Sequence, residues 1–218
     1  MFQYDAAGRI LGSNEPNGKF GPRLFLGRTK DGHVARFGAS VPDNVITRLE
    51  EIIAREPLGS DLSPEPVGMD AIREVLTEHA PVSREAGGPA YWFPETIVVP
   101  DGVVQLTDAN SDLTRETFRW LYDDLPSWAP GFAIVEDGVA VSVCYSSRIG
   151  PRAAEAGVDT LSDFRGRRYA GAVTAAWAAA IRGSGRIPLY STAWDNLASQ
   201  AVARRLGCKL YGIDMSWG

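Results

Sequence analysis

The sequence contains few of the residues that bind metal ions. Its 218 residues include only two cysteines, Cys144 and Cys208, and two histidines. These numbers are too small for a zinc site with the usual spacing of ligands, so we expect no metal. Internal repeats and low-complexity segments are also missing, which excludes a repeat architecture and favours ordinary globular folding.

Long apolar runs and a strong excess of one charge are absent as well. No run approaches the roughly 20 apolar residues that span a membrane, and the first five residues do not resemble a signal peptide. The net charge of −5 is modest, so neither nucleic acid nor a membrane surface is expected as a partner. From these features we expect a cytoplasmic protein.

A chain of this length forms either one large domain or two small ones. The composition changes at Gly87-Gly88-Pro89, and an aromatic cluster from Tyr91 to Phe93 follows. We place a domain boundary there. This predicts a small α+β N-terminal domain over residues 1–94 and a second domain over residues 95–218.

The first half of the chain shows patterns of short strands and two helices. Met1 to Gly21 is expected to be a loose lead-in, and Arg23–Arg28 and His33–Phe37 are predicted to form a hairpin. Asp43 is expected to cap the first helix, and Pro81 to end the second. The apolar stripes of the two helices are Val45, Ile46, Leu49, Ile52 and Ile53, then Ile72, Val75 and Leu76.

The region after the boundary alternates strands with turn residues. Thr96–Val99 and Val103–Leu106 are predicted to form a hairpin, followed by a helix over Leu113–Tyr122. A three-stranded meander is then predicted, with Asp137-Gly138 in its first turn. Its strands are Phe132–Val135, Val139–Ser146 and Ala154–Leu161.

The last part of the chain contains a basic turn between a strand and a helix. The turn runs from Arg165 to Ala170, and an alanine-rich helix is predicted over Tyr169–Arg182. A further strand from Arg186, a helix starting at Asn196 and a closing strand over Lys209–Trp217 complete the pattern. Backbone N–H groups at the start of a helix lack partners and lie at the positive end of its dipole, so this turn suits a phosphate.

These residues resemble the GNAT acyltransferase superfamily. Its signature reads Arg/Gln-x-x-Gly-x-Gly/Ala between the fourth strand and the next helix. Arg165 and Ala170 match the two ends, whereas Arg168 replaces the middle glycine. The second half of the family's site is similar to the sequence around Asn196 with Ser199, Leu206 and Gly207. The resemblance covers roughly the last half of the chain and extends more weakly upstream to about Val103.

The resemblance implies an α+β fold with a mixed, mostly antiparallel sheet flanked by helices, preceded by the small α+β domain. It also implies an N-acetyltransferase that moves an acetyl group from acetyl-CoA to an unidentified, small-molecule amine by direct attack in a ternary complex. Two alternatives stay open: acylation of a protein amine, and a non-catalytic acyl-CoA-binding module. A homodimer is compatible with the sequence.

By the same resemblance, backbone N–H groups of the basic turn would hold the pyrophosphate of CoA. Val158 and Thr160 would pair with the pantetheine arm if their strand splays from its neighbour; ordinary sheet pairing is the alternative. Asn196 is either a helix cap or a ligand of pantetheine. The residues expected to bind CoA are Val158, Thr160, Arg165, Gly166, Arg167, Arg168, Tyr169, Ala170, Asn196 and Ser199.

Acyl transfer to an amine requires removal of a proton and departure of a thiolate. An alkyl amine with a pKa of about 10.4 is neutral in only about one molecule per thousand or fewer at pH 7. Glu155 stands about where the family places its base, and a solvated glutamate is the alternative. The family's tyrosine is replaced by Ala203, so Tyr190 and Ser199 are the candidate donors to the thiolate. Cys144 is expected to be a buried structural residue.

Overall fold

The computed structural model describes residues 1–16, 18, 21–59, 61, 62 and 65–218. Within this part the chain divides into two compact units, each built from more than one stretch. The first unit comprises Met1, Tyr91–Tyr190 and Leu197–Lys209, and the second comprises Phe2–Ala90, Ser191–Asn196 and Leu210–Gly218. The domain boundary between residues 94 and 95 stays a prediction.

The described residues contain eleven strands and five α-helices. In chain order they are β1 (Phe2–Tyr4), β2 (Ile10–Ser13), β3 (Leu24–Thr29), β4 (Gly32–Phe37), α1 (Asp43–Ile53), α2 (Met69–His79), β5 (Glu85–Trp92), β6 (Val103–Leu106), α3 (Arg119–Asp123), β7 (Gly131–Glu136), β8 (Val139–Ile149), β9 (Ala153–Thr160), α4 (Tyr169–Gly183), β10 (Ile187–Ser191), α5 (Leu197–Arg205) and β11 (Lys209–Trp217). Three short 3₁₀ helices lie at Asp108–Thr114, Leu125–Trp128 and Ser162–Phe164. Over the same residues, no helix is both long and apolar enough to cross a membrane.

The second unit packs two helices on an antiparallel sheet. The predicted hairpin is β3 with β4, and the closing strand expected at the C-terminus is β11, which pairs antiparallel with β3. The apolar stripes of α1 and α2 pack on these strands in one buried cluster that includes Trp217. Both helices and their core faces are therefore confirmed, because the 3.6-residue spacing of apolar side chains is preserved in the fold.

Two expectations for the second unit are wrong, and a third segment has a structure that the sequence did not indicate. Residues 2–4 and 10–13 pair as β1 and β2, so Met1 to Gly21 is not a loose lead-in, although positions 17, 19 and 20 lie outside the described residues. Asp43 does not cap α1: the cap position is Pro42, and Asp43 accepts a hydrogen bond from the Arg9 guanidinium. Gly87-Gly88-Pro89 lies within β5, where a Cβ at Gly88 would stand 2.0 Å from the Thr192 carbonyl oxygen. The lack of a side chain at Gly88 therefore allows the backbone at Thr192 to approach closely.

The first unit has a mixed, mostly antiparallel sheet, as expected. β6, β7, β8 and β9 form an antiparallel meander, and β10 runs parallel to β9. Asp137 and Gly138 have φ values of 48° and 82° in the turn between β7 and β8. Two consecutive positive φ values are those of the turn that Asp-Gly favours in a two-residue hairpin.

Two expectations for the start of this unit are wrong. Residues 96–99 form no strand, so β6 pairs with β7 alone. Leu113–Tyr122 is not one helix: a 3₁₀ helix over Asp108–Thr114 begins at a capping box of Thr107 and Asn110, and only five residues form α3. Side chains of Thr and Asn that bond to the local backbone favour such short turns over a continued helix.

The two faces of this sheet carry different elements. The alanine-rich helix α4 covers one face, where its fully buried Trp177 donates a hydrogen bond from Nε1 to Ser146 Oγ at 3.1 Å. The other face is covered by Phe118, Leu121 and Leu125, which pack in one buried cluster with Val143 of β8. Small side chains on α4 let it pack closely, and the sheet is thereby buried on both sides.

Candidate active site

The turn between β9 and α4 exposes the N-terminus of a 15-residue helix. Gly166 has a φ of +80°, and Arg168, at the cap position, has a φ of +68°. Among the described residues no side chain caps this helix end, and the first intrahelical bond runs from Ala172 N–H to the Arg168 carbonyl. N–H groups of the first turn therefore remain without an intrahelical acceptor, at the positive end of the helix dipole.

Three arginines of this turn supply positive charge. Arg165 Nε donates to the Thr160 carbonyl at 3.3 Å, and Arg167 donates to the Asp163 carbonyl at 3.3 Å while its guanidinium stacks on Phe164. Arg168 is exposed. In the described parts of the chain none of the three forms a salt bridge with a carboxylate, so the turn has uncompensated charge for an anion.

The turn keeps a glycine-like backbone although Arg168 stands at the family's glycine position. Its φ of +68° and ψ of 10° are left-handed values. A residue with a side chain adopts them at a cost of about 1–2 kcal/mol relative to the right-handed region. The shape of the turn is thus retained, and a cation is added to it.

The Tyr169 side chain links this turn to Glu136. Its hydroxyl donates to a carboxylate oxygen of Glu136, in the turn between β7 and β8, and this hydrogen bond is the largest cause that raises the pKa of Tyr169, whereas a hydrogen bond with the Arg167 side chain opposes the rise. The hydroxyl is therefore occupied, and the backbone N–H of Tyr169 is the group placed for an anion at the helix start.

The strands β9 and β10 diverge beyond Glu155. Their parallel pairing includes Ile187 with Ala153 and ends with Leu189 opposite Glu155. β9 nevertheless continues to Thr160 with β8 along its other edge, where Val158 lies opposite Cys144. We call this divergence the fork. It leaves the β10 side of Val158 without a paired strand in the described residues, which is the splayed arrangement rather than ordinary sheet pairing.

Glu155 is buried at the fork. Its side chain forms an ion pair with Arg148 at 2.8 Å between Nε and Oε2, and the residue is 8% exposed. Sequence reasoning missed Arg148, because the β8–β9 register shifts by one residue between Ser146 and Arg148. An irregularity of this kind cannot be recognised from the alternation of apolar and polar residues along the sequence.

Tyr190 and Ser199 are joined directly. The two hydroxyl oxygens lie 2.6 Å apart, with Tyr190 3% exposed in β10 and Ser199 on α5. Burial raises the pKa of Tyr190 to about 12. Ala203, at the family's tyrosine position, is fully buried one helical turn after Ser199. The structure therefore brings together Tyr190 and Ser199, two of the three expected catalytic residues. The third, Glu155, lies opposite Leu189, the residue that precedes Tyr190 in β10.

Asn196 and Cys144 are the other two residues considered from the sequence. Asn196 belongs to the second unit, precedes α5 and donates its backbone N–H to the Ala193 carbonyl at 3.2 Å. Its role toward pantetheine stays a prediction. Cys144 is fully buried in β8, and burial raises the pKa of its thiol. Thiolate is the nucleophilic form of cysteine, so Cys144 is poorly suited to carry an acyl group.

Comparison with known proteins relates part of the chain to a protein family. The family model described as GNAT acetyltransferase matches residues 106–212. No curated protein matches the chain significantly. Among solved structures, a Drosophila protein has 14% identity and a TM-score of 0.52, with coverage of 89% of this chain and 73% of that one. A GNAT-family acetyltransferase from Colwellia psychrerythraea has 12% identity and a TM-score of 0.51, with coverage of 89% and 81%.

A GNAT-family protein from Novosphingobium aromaticivorans has 18% identity and a TM-score of 0.49. The similarity covers 62% of this chain and 65% of that chain, which is slightly less than two thirds of its length. At such identities the structural likeness shows the fold, and the sequence match supplies the family. Residues 106–212 of the chain are therefore a GNAT acetyltransferase domain.

Proposed function

We propose that the protein transfers the acetyl group of acetyl-CoA to the amine of a small acceptor by direct attack. The observation that carries this proposal is the uncapped start of α4, surrounded by unpaired arginines and directly following the strand that leaves β10 at the fork. A pyrophosphate needs N–H donors and cations of this kind. The family to which residues 106–212 belong supports the class of reaction.

The basic turn would hold CoA through its backbone and its cations. N–H groups from Arg165 to Ala170 would bind the pyrophosphate, and the Arg168 guanidinium would add a charge-assisted hydrogen bond. The open side of β9 at Val158 would receive the pantetheine arm, and Ser199 would bind it further along. Acetyl-CoA itself supplies the acyl group as a thioester.

Glu155 would accept the proton of the attacking amine, directly or through a water molecule. Its ion pair with Arg148 holds the carboxylate at the fork. As the C–N bond forms, the amine proton passes to Glu155, and the C–S bond then breaks. In neutral solution an alkyl amine is almost wholly protonated, and the protonated form cannot attack the thioester. Removal of the proton therefore limits the reaction, and a base at this place assists that step.

The Tyr190–Ser199 pair would stabilise the departing thiolate. With a pKa of about 12, Tyr190 remains protonated at neutral pH and can donate through Ser199. A thiol has a pKa near 8.5, so full proton transfer from this tyrosine is unfavourable. The pair therefore acts as a hydrogen-bond donor, and the thiolate takes its final proton from solvent.

The substitution Arg168→Gly tests the CoA site, because it should lower the affinity for CoA and raise the Tm of the protein. Removing the guanidinium is expected to weaken CoA binding about tenfold and to lessen its salt dependence, because one charge-assisted contact is lost. Relief of the left-handed strain is expected to raise the Tm by about 2–4 °C, since roughly 1 kcal/mol of net strain is removed. Titration calorimetry with CoA and thermal denaturation measure the two effects.

Arg168→Lys is the matched control for this substitution. It keeps the charge and the strained backbone, so CoA affinity should stay within a few-fold of the wild type and the Tm should not rise. If Arg168→Gly binds CoA as tightly as the wild type or more tightly, the guanidinium obstructs the site and the proposed phosphate contact is wrong.

A further inference from the structure

The face of β9 opposite α4 carries two carboxylates separated by a glycine. Side chains alternate along a strand, and α4 packs on Ala154, Ala156 and Val158. Glu155, Gly157 and Asp159 therefore share the other face. Three residues of strand lie between the two carboxylate residues, and the four steps put about 13 Å between their Cα atoms. The proposed base thus has a second carboxylate further along the same face.

An aromatic ring fills the place above the glycine. Tyr145 of β8 lies directly opposite Gly157, and a Cβ on Gly157 would come 2.3 Å from the Tyr145 ring. The absence of a side chain at position 157 is what allows the ring to lie on the strand. The Tyr145 hydroxyl donates to Asp159 Oδ2 at 3.2 Å.

Two tryptophans extend this ring into a cluster. The Trp120 and Trp128 ring centroids lie 4.7 and 5.3 Å from that of Tyr145, in edge-to-face contact, and 4.9 Å from each other. Trp120, on α3, is 38% exposed. We call Trp120, Trp128, Tyr145 and Asp159 the aromatic–carboxylate cluster. It places the partly exposed Trp120 ring in a group of aromatic rings that includes the hydrogen-bond donor to Asp159.

The charge of Asp159 is not neutralised by a neighbouring cation. Asp159 is exposed, and within the described residues it forms no salt bridge. The arginines of the nearby helical segment are engaged elsewhere: Arg115 pairs with Asp112 and Arg119 with Asp123, and both stack on Tyr122. Arg165 of the basic turn donates its Nε to the carbonyl of the neighbouring Thr160, so within the described residues the Asp159 carboxylate remains available to a cation.

We propose that the aromatic–carboxylate cluster binds a second ammonium group of the acceptor, so that the acceptor is an extended diamine or polyamine. This inference rests on the proposed function. One amine would lose its proton to Glu155 and receive the acetyl group. The other would stay protonated, paired with Asp159 and held against an aromatic face, as cations are recognised by ring faces within about 6 Å. A monoamine of equal length would lack this second anchor.

Calorimetry with two amines of matched length tests the inference without requiring turnover. Hexamethylenediamine and n-hexylamine are titrated into the free protein and into the protein with CoA. The diamine is expected to bind about tenfold more tightly than the monoamine. Asp159→Asn and Trp120→Leu should each bring its affinity down to that of the monoamine, whereas Asp101→Asn, with the same loss of charge in an exposed turn, should keep the preference.

Equal affinity for the two amines, absence of binding by either, or an unchanged preference in both Asp159→Asn and Trp120→Leu would overturn the inference. Thermal denaturation of each variant establishes that it is folded. Failure of the proposed function would be seen separately, as loss of CoA binding and of thiol release while the preference for the diamine persists.

Discussion

Glu155→Gln is expected to lower kcat by about 100-fold or more, the usual effect of removing a general base. Glutamine keeps the size of the side chain and a hydrogen bond to Arg148, but it cannot accept the amine proton. The deficit should shrink as the pH rises toward the pKa of the acceptor amine, about 10.4, because the amine then loses its proton unaided. Steady-state rates of CoA release across this pH range measure both effects.

Glu116→Gln is the matched control, since it removes the same charge from an exposed position in the first unit. It should change neither kcat nor its pH dependence. CoA affinity of Glu155→Gln should remain close to that of the wild type, whereas its Tm should fall, because the Arg148–Glu155 side chains are only 22% and 10% exposed and the pair loses its negative charge. A loss of activity that stays constant with pH would show that Glu155 only supports the structure of the fork.

Glu56→Gln is expected to destabilise the protein by about 3–5 kcal/mol. Glu56 forms a salt bridge with Arg28 in which the two side chains are 2% and 5% exposed. Its carboxylate also accepts the backbone N–H groups of Val67 and Gly68, immediately before α2. Glutamine would remove the buried negative charge that faces the Arg28 guanidinium, and the loss of this buried ion pair accounts for most of the expected effect. Urea denaturation measures the free energy of unfolding.

The exposed pair of Arg48 and Glu78 provides the comparison. Its side chains are 49% and 51% exposed, so water screens the charges. Glu78→Gln should therefore lower the free energy of unfolding far less than Glu56→Gln does. Equal effects of the two substitutions would contradict the view that burial of the Arg28–Glu56 pair makes it indispensable to the second unit.

Local patterns were sufficient to predict much of the first unit. The Asp137-Gly138 turn and the alternation of its flanking strands predicted the meander, because turn residues fix register over short distances. The basic turn before α4 was predicted from residues that adjoin one another in sequence. Arg168 was predicted as a departure from the family pattern, but only the structure shows that it keeps the left-handed backbone of the glycine it replaces.

Features that depend on an irregular register or on residues distant in sequence were not predictable. Arg148 meets Glu155 through a one-residue irregularity in the β8–β9 register. The change of composition at Gly87-Gly88-Pro89 suggested a domain boundary nearby but not the strand β5, which runs through this segment where the Thr192 carbonyl approaches the Gly88 backbone closely. Composition cannot distinguish a glycine that loosens the chain from one that admits a neighbouring strand.

The most direct test of the account is to follow acetyl-CoA with a panel of primary amines by free-thiol release and intact-protein mass spectrometry. Direct transfer predicts that thiol release depends on the amine, that the product is the acetylated amine, and that acetyl-CoA alone leaves the protein mass unchanged, because Cys144 is fully buried. A stoichiometric acetyl adduct on Cys144 that the acceptor discharges would contradict direct attack. Tight CoA binding without thiol release for any amine would instead identify a non-catalytic acyl-CoA-binding module.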